Sequence, residues 1–163
     1  MSDPTLAVLL RQLDQAFDHT SWHGPNLRGS IRRVTAAEAG WRPAPGRHSI
    51  AEQVVHAAYW KYTVRRRLRG DKRGSFPLVG SNWFPQPLPF DDAEWKRCVE
   101  LLVNEHRQLR ETVAGLDVRR LGRQAGTSRF TFADLVLGAA AHDLYHAGQI
   151  QLLRRLLTGG TGR

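Results

Sequence analysis

The sequence predicts an all-α fold, a four-helix bundle with a long proline- and tryptophan-containing loop between its second and third long helices. Three observations predict this fold: four long segments carry apolar residues at helical spacing, no segment alternates as a strand does, and a stretch with several prolines separates the second segment from the third. Amphipathic helices joined in this way bury their apolar faces against one another. At 163 residues and 41% hydrophobic content, residues 1–163 fit a single domain.

The first predicted helix covers residues 5–17, where leucines recur at helical spacing. Asp3 followed by Pro4 is a typical start signal, because proline is tolerated in the first turn. The period breaks after this helix and resumes briefly over residues 26–34. Residues 35–47 contain two glycines and two prolines, which predict a connecting segment.

The second predicted helix has clear signals at both ends. Ser49 followed three residues later by Glu52 predicts a capping box, which opens a helix over residues 50–69, and Gly70 ends it. Residues 71–90 contain four prolines, and no regular element tolerates that density. A loop of this length with several aromatic residues is typical of a segment that covers a site.

The third and fourth predicted helices complete the set. Asp91 or Asp92 caps a helix that stops near Gly115. The fourth covers residues 131–157, and the glycine pair 159–160 closes it.

The formal net charge of +9 raises nucleic-acid binding as a hypothesis, because a basic face attracts phosphate. The densest basic cluster, residues 65–73, lies at the end of the second helix, where the helix dipole favours cations. No nucleic-acid-binding motif accompanies it. We therefore expect a solvated helix end and rank nucleic-acid binding last.

The sequence also predicts the compartment. No run approaches the ~20 consecutive apolar residues that span a bilayer, and the first residues lack the pattern of a secretion signal, so we expect no membrane insertion. Cys98 is the single cysteine and cannot form an internal disulfide, which agrees with a reducing compartment. We expect a cytoplasmic protein in which Cys98 is packed and inert.

The fourth helix carries two histidines, His142 and His146, one turn apart on the face that should be buried. Two imidazoles at this spacing can bind one metal ion, or each can hydrogen-bond to a carbonyl or carboxylate. A third ligand decides between these alternatives. His56 is the candidate, because it alone among the other histidines lies mid-helix among apolar residues; we expect His106 at the surface or its boundary.

Two segments carry a resemblance to a known family: residues 41–60, WRPAPGRHSIAEQVVHAAYW, and residues 138–155, GAAAHDLYHAGQIQLLRR. They strongly resemble the DinB-like (YfiT-like) superfamily, and the resemblance extends over nearly the whole chain. It implies a four-helix bundle in which one histidine of the second helix and an H-x3-H pair of the last hold a divalent metal. Those positions match His56, His142 and His146 here.

The resemblance further implies a homodimer and, for some members, a low-molecular-weight thiol as cosubstrate. Neutral imidazoles suit several ions, and we expect zinc or nickel, with iron or manganese as alternatives. The leading hypothesis is a metal-dependent enzyme in which the ion activates water or a thiol toward a small-molecule substrate, as in a hydrolase or thiol S-transferase. The alternative is a non-enzymatic, metal-stabilised stress-response or binding protein.

Several residues are expected around the site. Gln149 shares the face of the histidines and either orients a ligand or caps the edge of the core. Asp143 is displaced around the helix, so we expect it to pair with another helix rather than bind metal. Four further residues are placed at the pocket mouth, although core packing explains each equally well: Trp22, His23, Trp60 and Trp83.

Overall fold

The structure, a computed structural model, describes residues 3–159. Within this range the protein is all-α, with no strand, which confirms the predicted class. The helices are α1 (Pro4–Phe17), α2 (Leu27–Ser30), α3 (Ala36–Gly40), α4 (Ile50–Arg69), α5 (Asp92–Ala114) and α6 (Phe132–Gly159), with a short 3-10 helix at Val118–Arg120. None of them is both long and apolar enough to cross a bilayer. Gly160, the second glycine of the pair predicted to close α6, lies outside the described residues.

Local hydrogen bonds explain why α4, the central helix of the site, begins and ends where it was predicted. The Glu52 backbone N–H donates to Ser49 Oγ at 3.2 Å, and the Ser49 N–H donates to the Glu52 carboxylate at 2.9 Å. This capping box satisfies donors that the first helical turn leaves unpaired. At the other end, Gly70 adopts a φ of 77°, a left-handed conformation in which glycine is not strained.

Helix α3 lies in the segment predicted to be a connection only, so that prediction was incomplete. The helix has five residues and a capping box of its own, in which the Thr35 N–H donates to the Glu38 carboxylate at 2.7 Å. Five residues are too few to show an apolar period, so the capping pair was its main sequence signal. The predicted loop over residues 71–90 contains no helix or strand, as expected.

The long helices bury two apolar clusters, one toward each end of the molecule. The first joins the start of α6 to the ends of α4 and α5 and includes the fully buried Leu13 and Leu109. The second joins the start of α4 and α5 to the end of α6 and includes the fully buried Leu27 and Ile150. Each cluster removes apolar side chains from water on several helices, which holds the helices together.

Between these clusters along α4, α5 and α6 lies a layer of buried polar side chains. Lys61 Nζ donates to Asp143 Oδ2 at 2.5 Å, and both side chains are almost fully buried. Asp143 thus pairs with another helix, as predicted. The pair fixes α4 against α6 at the level of the histidines.

His106 belongs to the same layer, and its predicted surface position was wrong. His106 is 5% exposed, its ring stacks on Phe17 with ring centroids 3.6 Å apart, and its Nδ1 lies 3.2 Å from Lys61 Nζ. The neighbours Glu105 and Arg107 suggested a polar face, but Glu105 is itself buried and paired with Arg65. Charged neighbours therefore concealed an inward position.

This burial predicts an acid-sensitive fold. Burial, reinforced by the charge of Lys61, lowers the pKa of His106 to about 2, so the folded protein excludes a proton that the unfolded chain accepts below pH 6.5. Stability is therefore lost as pH falls. As the pH falls from 6 to 4.5, we expect His106 to lower the free energy of unfolding by about 2 kcal/mol.

Urea unfolding of the metal-free protein at those two pH values measures this effect. The His106→Gln variant should lose that share of the pH dependence, whereas the exposed control His23→Gln should retain it. An identical pH dependence in wild type and His106→Gln would contradict the prediction.

Candidate metal centre

The candidate metal centre forms where α4 packs against α6. His56 projects from the middle of α4, and His142 and His146 project from successive turns of α6. His142 Nε2 lies 3.2 Å from His56 Nε2 and 3.1 Å from His146 Nε2. The ligand atoms of all three residues lie within 4.8 Å of one another, so this cluster could hold a metal ion. The structure thus brings together the three histidines that the sequence singled out.

The outer nitrogens of two rings are occupied. His56 Nδ1 donates to the backbone oxygen of Asn82 at 2.8 Å, and His146 Nδ1 donates to Gln53 Oε1 at 3.1 Å. A neutral imidazole carries one proton, so the Nε2 atom of each of these rings presents a lone pair to the centre. His142 can donate a proton to only one of them. A cation between the three nitrogens satisfies all the lone pairs at once.

The spacing also fits a metal ion. Zinc–nitrogen bonds of about 2.0–2.1 Å at tetrahedral angles separate two ligand nitrogens by about 3.3 Å. The two Nε2–Nε2 distances given above are slightly shorter than this. Both distances therefore fit a shared metal ion, and the residues present match the group that the ligand pattern implies.

Burial favours the neutral form of all three imidazoles, which is the form that binds metal. Burial, with the charge of neighbouring histidines, lowers the pKa of His142 to about 3 and that of His146 to about 4. Burial likewise lowers the pKa of His56, although its hydrogen bond to Asn82 opposes this. Burial therefore favours, at neutral pH, the lone pairs that a metal ion needs.

The histidine cluster faces a cavity of about 590 Å3. All three histidines line it, together with residues of the segment before α4, of the loop after α4 and of the last turns of α6. A small molecule can therefore reach the three histidines. Three ligands beside an accessible space are the arrangement of catalytic metal sites, whereas structural sites have a closed ligand shell.

Comparison with known proteins agrees with this geometry. The sequence model of the DinB superfamily matches residues 5–150, a range that includes all three histidines. The chain belongs to the DinB superfamily. No curated protein and no solved structure matched it in the other two comparisons. The recognition made from residues 41–60 and 138–155 is thereby confirmed.

In this DinB-superfamily protein the loop of residues 71–90 is anchored directly on the histidine cluster. The Trp60 indole N–H donates to Asn82 Oδ1 at 3.0 Å, while the Asn82 backbone oxygen holds His56. The next residue, Trp83, stacks on His56 with ring centroids 3.9 Å apart, and His48 stacks on the other face of Trp83 at 3.6 Å. The loop therefore covers His56 and fixes the orientation of its ring.

The predicted pocket residues divide into two groups. Gln149 and Trp83 line the cavity. The centroid of the Trp60 ring lies 6.3 Å from the centroids of the His56 and His142 rings. The placement of Trp22 and His23 at the pocket mouth is corrected. Trp22 is fully exposed, and His23 lines a different groove beside α6, together with Leu144 and Gly148.

Sequence reasoning missed three residues of the site. Gln53 lies one turn before His56 on the same face of α4, so helical spacing could have found it. His48 lies just before the capping residue Ser49, and no spacing or motif in the sequence singled it out. Asn82 lies in a loop where no periodicity applies, and its role depends on its backbone oxygen, which every residue type possesses.

Asn82 predicts how the loop controls metal affinity. Its φ is 65°, a left-handed conformation that asparagine and glycine tolerate and a β-branched residue does not. We expect Asn82→Val to displace the oxygen that holds His56 and to weaken metal binding about 10- to 100-fold, as losses of outer-shell partners do.

Asn82→Gly is the matched control, because it loses the same side-chain bond to Trp60 but keeps the backbone conformation. Competition with a chromogenic chelator measures the affinity of each variant. Equal affinities for the valine and glycine variants would show that the backbone position of residue 82 does not matter.

Proposed function

We propose that this protein is a metal-dependent enzyme of the hydrolase or thiol S-transferase type, acting on a small molecule with water or a low-molecular-weight thiol. The observation that carries the proposal is the convergence of three neutral imidazoles beside an accessible cavity. We propose zinc or nickel as the ion; iron and manganese are the competitors, since imidazole suits several of these ions. Metal analysis of the purified protein distinguishes them.

The chain's own residues have separate tasks in this proposal. His56, His142 and His146 would hold the ion, while Asn82 and Gln53 fix two of the rings through their Nδ1 protons. Trp83 covers one face of His56 and limits the access of bulk water from that side. When bound, a divalent ion supplies Lewis acidity and lowers the pKa of a water or thiol ligand.

A nucleophile from the protein is not required. Burial raises the pKa of the Cys98 thiol to about 11, so this thiol is protonated at neutral pH. Cys98 also lines a separate cavity between α4, α5 and the long loop. We therefore propose that the attacking group is an external water or thiol.

Two further proposals come from the family. We infer that α1, α4, α5 and α6 form the superfamily's four-helix bundle, and we propose that the protein is a homodimer. Light scattering at micromolar concentration tests the second proposal, and a monomer mass would contradict it.

The function is tested by removing and restoring the metal. Because two apolar clusters and the Lys61–Asp143 pair already hold the helices, we expect chelation to leave the helical circular dichroism largely unchanged. Turnover with a panel of small thiols or water and common electrophiles should disappear and return on reloading. No turnover by the metal-loaded protein, or unfolding on chelation, would instead favour the non-enzymatic, metal-stabilised protein.

A further inference from the structure

The charged side chain that lines the cavity beside the histidines is positive. Among residues 3–159, no aspartate or glutamate lines this cavity, whereas Arg47 does, together with neutral polar and apolar side chains and the histidines. An arginine stays charged at any physiological pH. A cavity that offers a cation without a carboxylate is suited to an anionic group.

Arg47 differs from the neighbouring arginine in being unpaired. Arg42 Nη2 donates to Glu52 Oε1 at 2.7 Å, so the charge of Arg42 is already neutralised. Among the described residues, the Arg47 side chain has neither an ion pair nor a hydrogen bond, and its guanidinium donors are free. A guanidinium binds a carboxylate or phosphate through two parallel N–H bonds.

The backbone around Arg47 is ordered by hydrogen bonds rather than free. The Arg47 N–H donates to the Ala44 oxygen at 3.1 Å, and Gly46 in this turn has a φ of 72°. Arg42 Nη1 in turn donates to the Arg47 backbone oxygen at 2.7 Å. The pair formed by Arg42 and Glu52 thus holds the turn that presents Arg47 to the cavity.

Another part of the cavity wall, formed by α6, is apolar. Leu152, Leu153 and Leu156 line it from the last turns of α6. Leu152 and Leu156 are 57% and 52% exposed, so this wall is open to contact with a bound molecule. A ligand that covers them gains the free energy of removing apolar surface from water.

We propose that the substrate is an amphipathic organic anion, whose anionic group binds Arg47 and whose apolar body lies against Leu152 and Leu156. This substrate class deepens the proposed function and rests on it for the reaction, because the bond to be transformed would lie at the three histidines. The anion-binding step itself needs only residues of the cavity and can be measured without metal.

The test uses three probes on metal-free protein, with binding followed by calorimetry. Octanoate has both features, 1-octanol lacks the charge, and acetate lacks the apolar body. We expect octanoate to bind at least tenfold more tightly than either of the others. Metal-free protein is required because a carboxylate also binds a metal ion directly.

Variants test which residues bind the anionic group and which bind the apolar body. Arg47→Gln should weaken octanoate binding about tenfold, the effect of losing a charge-assisted hydrogen bond, and should leave 1-octanol binding unchanged. Arg11→Gln, an exposed arginine of α1, removes the same charge and should have no effect. Leu156→Ser should weaken octanoate binding severalfold without affecting acetate.

Equal affinity of Arg47→Gln and Arg11→Gln for octanoate would overturn this inference, as would equal affinity of wild type for octanoate and 1-octanol. Either result would leave the metal-dependent function intact if metal binding and turnover persist. Conversely, octanoate binding that depends on Arg47 in a protein that takes up no metal would support the anion site and contradict the proposed reaction. The two failures are therefore distinguishable.

Discussion

Replacement of His56 by alanine is expected to abolish stoichiometric metal binding. The variant keeps only the His142 and His146 pair on α6, and the nitrogen supplied by α4 is lost. We expect affinity to fall by at least about 100-fold, more than the loss of an outer-shell partner causes. Metal analysis of protein purified from zinc- and nickel-supplemented medium measures the content of wild type and variant.

His48→Ala is the matched control for this experiment. His48 lines the same cavity and stacks on Trp83, but it is outside the three-histidine cluster. The His48→Ala variant should therefore retain near-stoichiometric metal. If His56→Ala retained as much metal as wild type, the assignment of His56 as a ligand would be wrong, and the site would have to be placed elsewhere.

Replacement of Lys61 by methionine is expected to be among the most destabilising single changes in the protein. Lys61 and Asp143 form a buried ion pair, and the change leaves the Asp143 carboxylate without its cation inside the protein. Breaking a buried pair in this way costs about 3–5 kcal/mol. Urea unfolding at pH 7 of the metal-free protein measures the loss.

The double variant Lys61→Met with Asp143→Leu tests the cause. It removes both charges, so most of the lost stability should return, because apolar pairs of similar volume often replace buried ion pairs without loss. A double variant as unstable as the sum of the two single variants would show that shape, rather than charge, makes these positions important. Because Asp143 is adjacent to His142, the pair also contributes to the rotational setting of α6 at the site.

Local signals explain why much of the fold was predictable. Three signals act within one or two turns of chain: the capping pair Ser49 and Glu52, the left-handed Gly70, and Pro4 in the first turn of α1. The structure places a helix end at each of them. The H-x3-H spacing depends only on helical geometry. His56 was found by elimination, since it alone lay mid-helix among apolar residues.

Interactions between distant segments explain what was not predictable. Gln53 binds His146 across 93 positions of chain, and the Asn82 backbone oxygen binds His56 across 26. His106 was misjudged because its charged neighbour Glu105 is itself buried and pairs with Arg65 of α4, so that neighbour did not mark a solvent-facing position. Trp22 was placed at the pocket because composition alone gives no direction to a loop residue.

The sequence by itself determined the helical class, the ends of the main helices, the family and the three candidate ligands, because spacing, capping and residue chemistry are properties of short stretches of chain. The tertiary structure alone decided that the Nε2 atoms meet, that Asn82 and Gln53 orient two of the rings, and that the Arg47 side chain lines the cavity with no ion pair to any residue the structure describes. Those features depend on how α4, α6 and the long loop pack, and packing is the combined result of contacts along the whole chain.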